Sequence, residues 1–216
     1  MKILAFDTCN AIASASIIID ETIVSNRIEI QSSKQAESLI SIIDECLKEA
    51  KLTFSELDAI AVTNGPGSFT GVRIGLSAAK GFRLVTKLPL IDVSCLEALA
   101  YNFKDSNKKI VVAMDARRDQ LYFQTFLFTN ALTEVSLVTY EEAYNMIDFD
   151  NFIIVGEGAK FLESKLISIG KKFQRLELML EASLVAKAAM IKYQNKSFQE
   201  EIEPLYIREV DAKKQF

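Results

Sequence analysis

Histidine is missing altogether from the 216 residues. With it go the commonest general base, the Ser-His and Cys-His nucleophile pairs, and every imidazole-based metal site. Proline is nearly as scarce, at three, so few breaks interrupt regular structure. The three cysteines, Cys9, Cys46 and Cys95, are odd in number and far apart. They read as a strand end, a buried helix face and a helix start, which is reduced, cytosolic usage and not a disulfide framework. No apolar run approaches the about 20 residues of a membrane span, and the first one is ended by Asp7 without the shape of a signal peptide. The expectation is a cytoplasmic protein with no membrane partner. Positive charge is also short: 25 Lys and Arg against 29 Asp and Glu leave a net charge of -4. Lys108-Lys109, Arg117-Arg118, Lys171-Lys172 and Lys213-Lys214 are isolated pairs and read as solvated surface. Such a chain is not built to grip nucleic acid alone.

What is present is an ordinary globular composition, half hydrophobic and a quarter charged. Lys2 to Asp7, Ile12 to Ile19 and Ile23 to Ile30 are strand-length apolar or alternating runs, the last two joined by a tight turn at Asp20-Glu21. From Ser33 to Ala50 the period turns helical, with Ala36, Leu39, Ile40, Ile43, Leu47 and Ala50 on one face. Thr53 to Glu56 reads as a capping box, Leu57 to Thr63 as a buried strand, Ser68 to Val85 as a helix, and Leu90 to Val93 as a strand. Ser94 then caps a helix reaching about Phe103. Three strands followed by alternating helices and strands predict a meander extended into a parallel sheet.

The second half opens as the first does. Ile110 to Asp115 matches Ile3 to Asp7, Leu121 to Phe128 follows as Ile12 to Ile19 does, and Phe152 to Gly158 with its helix Phe161 to Ile169 echoes Val62 to Gly67. Two matches in the same order point to an internal duplication with its boundary near Lys104 to Lys109. The division is 1–104 and 105–216, the second part ending in a helix from Glu181 to Asn195 and a tail.

The most informative stretch is Gly65-Pro66-Gly67-Ser68-Phe69-Thr70-Gly71-Val72-Arg73-Ile74-Gly75. It is neither a Walker A loop nor a dinucleotide fingerprint. Its glycines at 67, 71 and 75, with Ala79, form a small-residue stripe down a helix, and each costs about 1 kcal/mol unless close packing offsets it. The stripe, with Ala78, Phe82 and Val85, is expected on the protein's own sheet. Leu76 and Leu84, interleaved with Arg73 and Lys80, are left over as a candidate protein interface. Asp7-Thr8 and Asp115-Ala116 stand at equivalent strand ends, where a carboxylate can hold hydrated magnesium and a turn can receive phosphate. The turns after them contain no glycine, which counts against close phosphate approach. Gly156-Glu157-Gly158 suits either an adenosine or a plain strand-to-helix turn. Glu203 to Arg208 carries an aromatic and an isoleucine, which favours a docked tail.

Ala5-Phe6-Asp7-Thr8, the run from Asn64 to Gly75, Val93-Ser94, Asp115-Ala116-Arg117 and Pro204-Leu205-Tyr206-Ile207-Arg208 together resemble the TsaB (YeaZ) family, in order over nearly the whole chain. The resemblance implies an α/β, duplicated ribonuclease-H-like fold of the actin/Hsp70-like ATPase type, with a mixed five-stranded sheet in the first half and a smaller, degenerate second half. It implies a non-catalytic subunit in the making of threonylcarbamoyladenosine in tRNA, with tRNA met only through the complex. Its partners would be TsaD, the catalytic subunit, and TsaE, an ATPase. Alone, the chain could pair with itself. By position, the partner surface would use Gly71, Val72, Arg73, Gly75 and Leu76, beside Leu39 and Ile43. Asp7, Thr8 and Asp115 would be a vestigial nucleotide site, with no cofactor and no metal required. TsaD's His-x-x-x-His has no counterpart in Gln31 to Glu37, although relatives have carried a glycopeptidase label. The competing reading is a small-substrate kinase or ATPase of the actin-like superfold, resting on Asp7 and Asp115.

Overall fold

The computed structural model describes residues 1–30, 35–198 and 201–208. The proposed helix start at Ser33, residues 31–34 of the histidine-free stretch and the Lys213-Lys214 pair lie outside them.

The first half builds β1 (Lys2–Asp7), β2 (Ala13–Ile19), β3 (Thr22–Glu29), α1 (Gln35–Ala50), β4 (Ala59–Gly65), α2 (Phe69–Thr86), β5 (Leu90–Ser94) and α3 (Cys95–Ala100). Asp20 takes a left-handed φ of 53° in the β2–β3 turn, and its amide donates to the Met1 carbonyl at 2.7 Å. The sheet runs β3-β2-β1-β4-β5, antiparallel through the hairpins and parallel from β1 to β5. A short 3₁₀ turn, Phe54–Glu56, is closed by the Thr53/Glu56 capping box that the sequence announces.

The second half repeats the plan: β6 (Lys109–Asp115), β7 (Gln120–Leu127), β8 (Asn130–Ala131), β9 (Ser136–Thr139), α4 (Tyr140–Met146), β10 (Phe152–Val155), α5 (Ala159–Ser168), β11 (Phe173–Leu176) and α6 (Ala182–Gln194). Its order is β11-β10-β6-β7-β8, with β9 also on β7. The sheet is six-stranded, so the reduction in this half lies in its helices. Helix α4 has 7 residues and α5 has 10, against 16 in α1 and 18 in α2.

Period-two alternation explains how the layers stack. On β6, Ile110, Val112 and Met114 enter a core shared with the first sheet, whereas Val111 and Ala113 enter a second core under α4 and α5. Helices α1 and α2 pack on the first sheet, and α3 and α6 join the shared core that reaches the second. Helix α6 touches all five strands of the first sheet. Its Leu184, Val185, Ala188, Ala189 and Met190 are all buried, as expected of a helix that packs on more than one side. Burying Leu184, Val185 and Met190 at about 1.5–3 kcal/mol each stabilises this layer.

Candidate functional site

The carboxyl ends of β1 and β4 face those of β6 and β10 across a cleft of about 830 Å³. Cys9, Asn10, Gly67, Phe69, Asp115, Arg117, Glu157, Lys160 and the tail Leu205 to Arg208 are among its walls. The duplication reaches atomic detail here. Asp7 Oδ1 accepts from the Cys9 amide at 3.0 Å, and Asp115 Oδ1 accepts from the Arg117 amide at 2.8 Å, the same two-residue turn. Gly65 and Gly156, ending β4 and β10, both need positive φ, 111° and 96°.

The two aspartates then part company. Asp7 is fully buried, and its Oδ1 also accepts the Thr63 hydroxyl at 2.5 Å. Burial pushes the Asp7 carboxyl above its ordinary range, while the Thr63 and Cys9 hydrogen bonds pull it back. Thr8 is equally buried and spends its hydroxyl on the Gly71 carbonyl at 2.7 Å. Asp115 stays partly open. Glu157, at the rim, is held above the usual carboxylate range by loss of water and by the Asp115 charge, with Lys160 opposing. A magnesium-nucleotide does not fit the way the strand ends suggest, since Asp7 and Thr8 are sealed beneath the cleft.

The tail lies along this cleft. The Leu205 amide donates to the Asn64 carbonyl at 2.7 Å, Tyr206 stacks on Phe69 with ring centroids 4.9 Å apart, and Arg208 donates to Gln120 at 2.6 Å. Arg73 also holds the stack, its guanidinium 3.8 Å from the Phe69 centroid and its Nε donating to the Tyr206 hydroxyl at 3.2 Å.

The glycine stripe faces inward. A Cβ on Gly67 would stand 2.5 Å from the Cys9 carbonyl oxygen, one on Gly71 would overlap the Thr8 carbonyl oxygen, and one on Gly75 would stand 2.8 Å from the Thr8 hydroxyl. This stripe lets α2 close on the β1 turn. Of the seven residues expected on a partner surface, Leu39, Ile43, Gly71, Val72, Gly75 and Leu76 are buried within the chain and Arg73 alone is exposed. Leu76 turns into the core, whereas Leu84 is 73% and Val85 84% exposed, and Val85 leaves the sheet it was expected to cover. The outer side of α2 instead presents Thr70, Ser77 and Gly81, flanked by Arg73 and Leu84 on one edge and Ile74 and Val85 on the other. A Cβ on Gly81 would meet nothing within 4 Å. Helix α1 packs beside α2, and its Ile40 is 52% exposed. The signal for this face was Gly81 itself, a helix-interior glycine out of phase with the stripe.

Two α/β halves of one topology, joined over a cleft at their strand ends, define the actin/Hsp70-like class of duplicated ribonuclease-H-like folds. A polyphosphate/ATP-glucomannokinase from Arthrobacter sp. strain KM shares it at a TM-score of 0.57 with 8% identity, covering 90% of this chain and 99% of that one. YeaZ from Pseudomonas aeruginosa superposes at 0.80 with 23% identity, covering 95% of this chain and 99% of its own. In sequence, the chain is 29% identical to the tRNA threonylcarbamoyladenosine biosynthesis protein TsaB of Haemophilus influenzae, over 99% of this chain and 97% of the relative. It is 31% identical to that of Buchnera aphidicola subsp. Schizaphis graminum, over 73% of this chain and 71% of the relative. The family model described as TsaD, tRNA N6-adenosine threonylcarbamoyltransferase, matches residues 21–215. The chain belongs to the TsaB (YeaZ) family, within the wider group that this model describes. No described helix is long and apolar enough to cross a membrane.

Proposed function

We propose that this chain is a non-catalytic subunit of the machinery that makes threonylcarbamoyladenosine in tRNA, and that it holds a TsaD-type transferase through the outer face of α2 with α1 beside it. Family membership supports the pathway. The observation that carries the mode is Gly81. A glycine inside an exposed helix costs about 1 kcal/mol against alanine, and no described residue occupies the space a side chain would take. Close approach of a partner helix supplies a reason, with Leu84, Val85 and Ile40 as apolar anchors around a small centre. Arg73 belongs to this face but is already engaged with Phe69 and Tyr206. The inward residues Leu39, Ile43, Gly71, Val72, Gly75 and Leu76 set the position of the two helices and do not themselves meet the partner. A TsaE-type ATPase joins the assembled pair, tRNA is met through the complex, and the same face pairs with a second copy when the partner is absent.

The test is to mix the purified chain with its TsaD-type partner. The double variant Gly81→Glu, Leu84→Asp, at two exposed positions, loses the complex and the tRNA modification while its melting curve stays native. Unchanged binding would refute the surface. Titration of the free chain with Mg-ATP is expected to give no heat. Micromolar binding abolished by Asp7→Asn would instead restore the kinase reading.

A further inference from the structure

Beneath the cleft floor, three potential ligands, one carboxylate and two thiols, converge. One atom from each of Asp7, Cys9 and Cys95 lies within 4.8 Å of the others, and all three residues are buried. They come from separate elements: Asp7 ends β1, Cys9 lies two residues on, and Cys95 opens α3. Both cysteines are free thiols. An independent observation points the same way. Asp7 Oδ1 is fixed by the Thr63 hydroxyl and the Cys9 amide, but Oδ2 is buried with no hydrogen-bond partner among the described residues. A fully buried carboxylate oxygen with nothing to accept is a costly arrangement that a cation relieves.

We propose that Asp7, Cys9 and Cys95 form a binding site for a thiophilic divalent cation of the zinc class. Two thiolates and one carboxylate are three of the four ligands of a tetrahedral zinc ion, with bonds of about 2.3 Å to sulfur and 2.0–2.2 Å to oxygen. Two sulfurs on such an ion stand about 3.8 Å apart, so the donors need to draw together by at most about 1 Å. Cys9 Sγ now donates to Thr63 Oγ1 at 3.1 Å and gives up that bond when it turns to the metal. Thr63 keeps its bond to Asp7 Oδ1 and so orients the carboxylate from behind. One dication with two thiolates and a carboxylate leaves a net charge of -1, the same as a Cys₃His site. Cys9, itself buried, also borders the cleft, so an ion and a fourth ligand such as water would have to reach the site from that side. Binding releases the two thiol protons to solvent, and no redox step is involved. This site is independent of the α2 surface and of any nucleotide.

The experiment uses the full-length chain, reduced and stripped with chelator, then given zinc or cobalt chloride alone. The expected result is one ion per chain, with a sulfur-to-cobalt charge-transfer band in the near ultraviolet. Cys9→Ser and Cys95→Ser each lower zinc affinity by at least about 100-fold, and Cys46→Ser does not. Cys46 is the internal control, being buried elsewhere with its thiol on the Ala15 carbonyl. Should a serine variant fail to fold, the cobalt spectrum of the unaltered chain still decides. No retained ion, a cobalt complex without the thiolate band, equal uptake of magnesium, or uptake lost in Cys46→Ser would each overturn the proposal.

Discussion

Replacing Gly81 by alanine separates what α2 does for its own chain from what it does for a partner. In the free chain the new methyl group meets nothing within 4 Å, and the backbone there is free of positive φ. The change therefore recovers the helix-propensity difference of about 0.8–1.0 kcal/mol. For a chain of this size that raises the melting temperature by about 2–4 °C, which circular dichroism resolves. Against a partner helix packed at an interaxial distance of about 8–10 Å, the same methyl forces the axes apart. Overpacking of this kind costs about 1–3 kcal/mol, so association measured by calorimetry weakens by at least roughly 5-fold. One substitution thus makes the monomer more stable and the complex less so. A variant that gained stability and bound TsaD as before would remove α2's outer face from the proposal. A variant that lost stability in the free chain would show that Gly81 serves its own fold after all.

Gly71→Ala, ten residues earlier on the buried stripe, has the reverse sign in the free chain. Its Cβ overlaps the Thr8 carbonyl oxygen, a backbone atom, and a loss of about 3 kcal/mol in urea denaturation is expected. Phe152→Ala, fully buried in the second core, costs about 3–5 kcal/mol, and a value under about 1 would mean that this core is not close-packed. Tyr206→Ala removes both the Phe69 stack and the Arg73 hydrogen bond, so limited proteolysis should cut within residues 201–208 faster than in the parent. Glu142 caps α4 by accepting from the Thr139 amide, then from its hydroxyl, and both hold its carboxyl below the usual range. The folded-state pKa is depressed, so this contribution is present above the ordinary carboxylate pKa and lost as pH falls through the lowered one. Hydrogen exchange of the α4 amides should accordingly distinguish Glu142→Ala from the parent at neutral pH and much less in acid.

The long elements were legible in the sequence because their periods are long enough to average over exceptions. Strand β1 was read to the residue, Ser68 and Ser94 are helix N-caps, and the repeat anchored on Asp7 and Asp115 shows itself in matching sheet orders. Short elements of the second half were missed. Strands β8, β9 and β11 hold two to four residues each, too few for a period, and their pairing is decided by the neighbouring strand. Helix α4 has no clear apolar period, and only the capping box Thr139-Tyr140-Glu141-Glu142 marks its start in the sequence. Side-chain direction proved harder than secondary structure. Leu76 and Leu84 look alike on a helix drawn alone, yet only Leu76 reaches the core. Ile40 shares the helical period of Leu39 and Ile43, but Ile42 and Cys46 are buried in its place. Which arc of a helix is buried depends on where its neighbours lie, and the meeting of Cys9 with Cys95 is a tertiary fact of the same kind.

Helix α6 has a consequence for how the polypeptide comes off the ribosome. The first sheet is complete in sequence by Ser94, yet the helix touching all five of its strands ends at Gln194. In the other direction, α3 of the early half rests on β6 and β7 of the late one. Each repeat therefore lends its final helix to its sibling, and although the second keeps a core of its own under α4 and α5, the core between the two sheets is finished only when both are present. A chain halted midway, or a gene cut between the repeats, leaves bare apolar strands for chaperones to shield. Unfolding should then be a single event in which both halves are lost together.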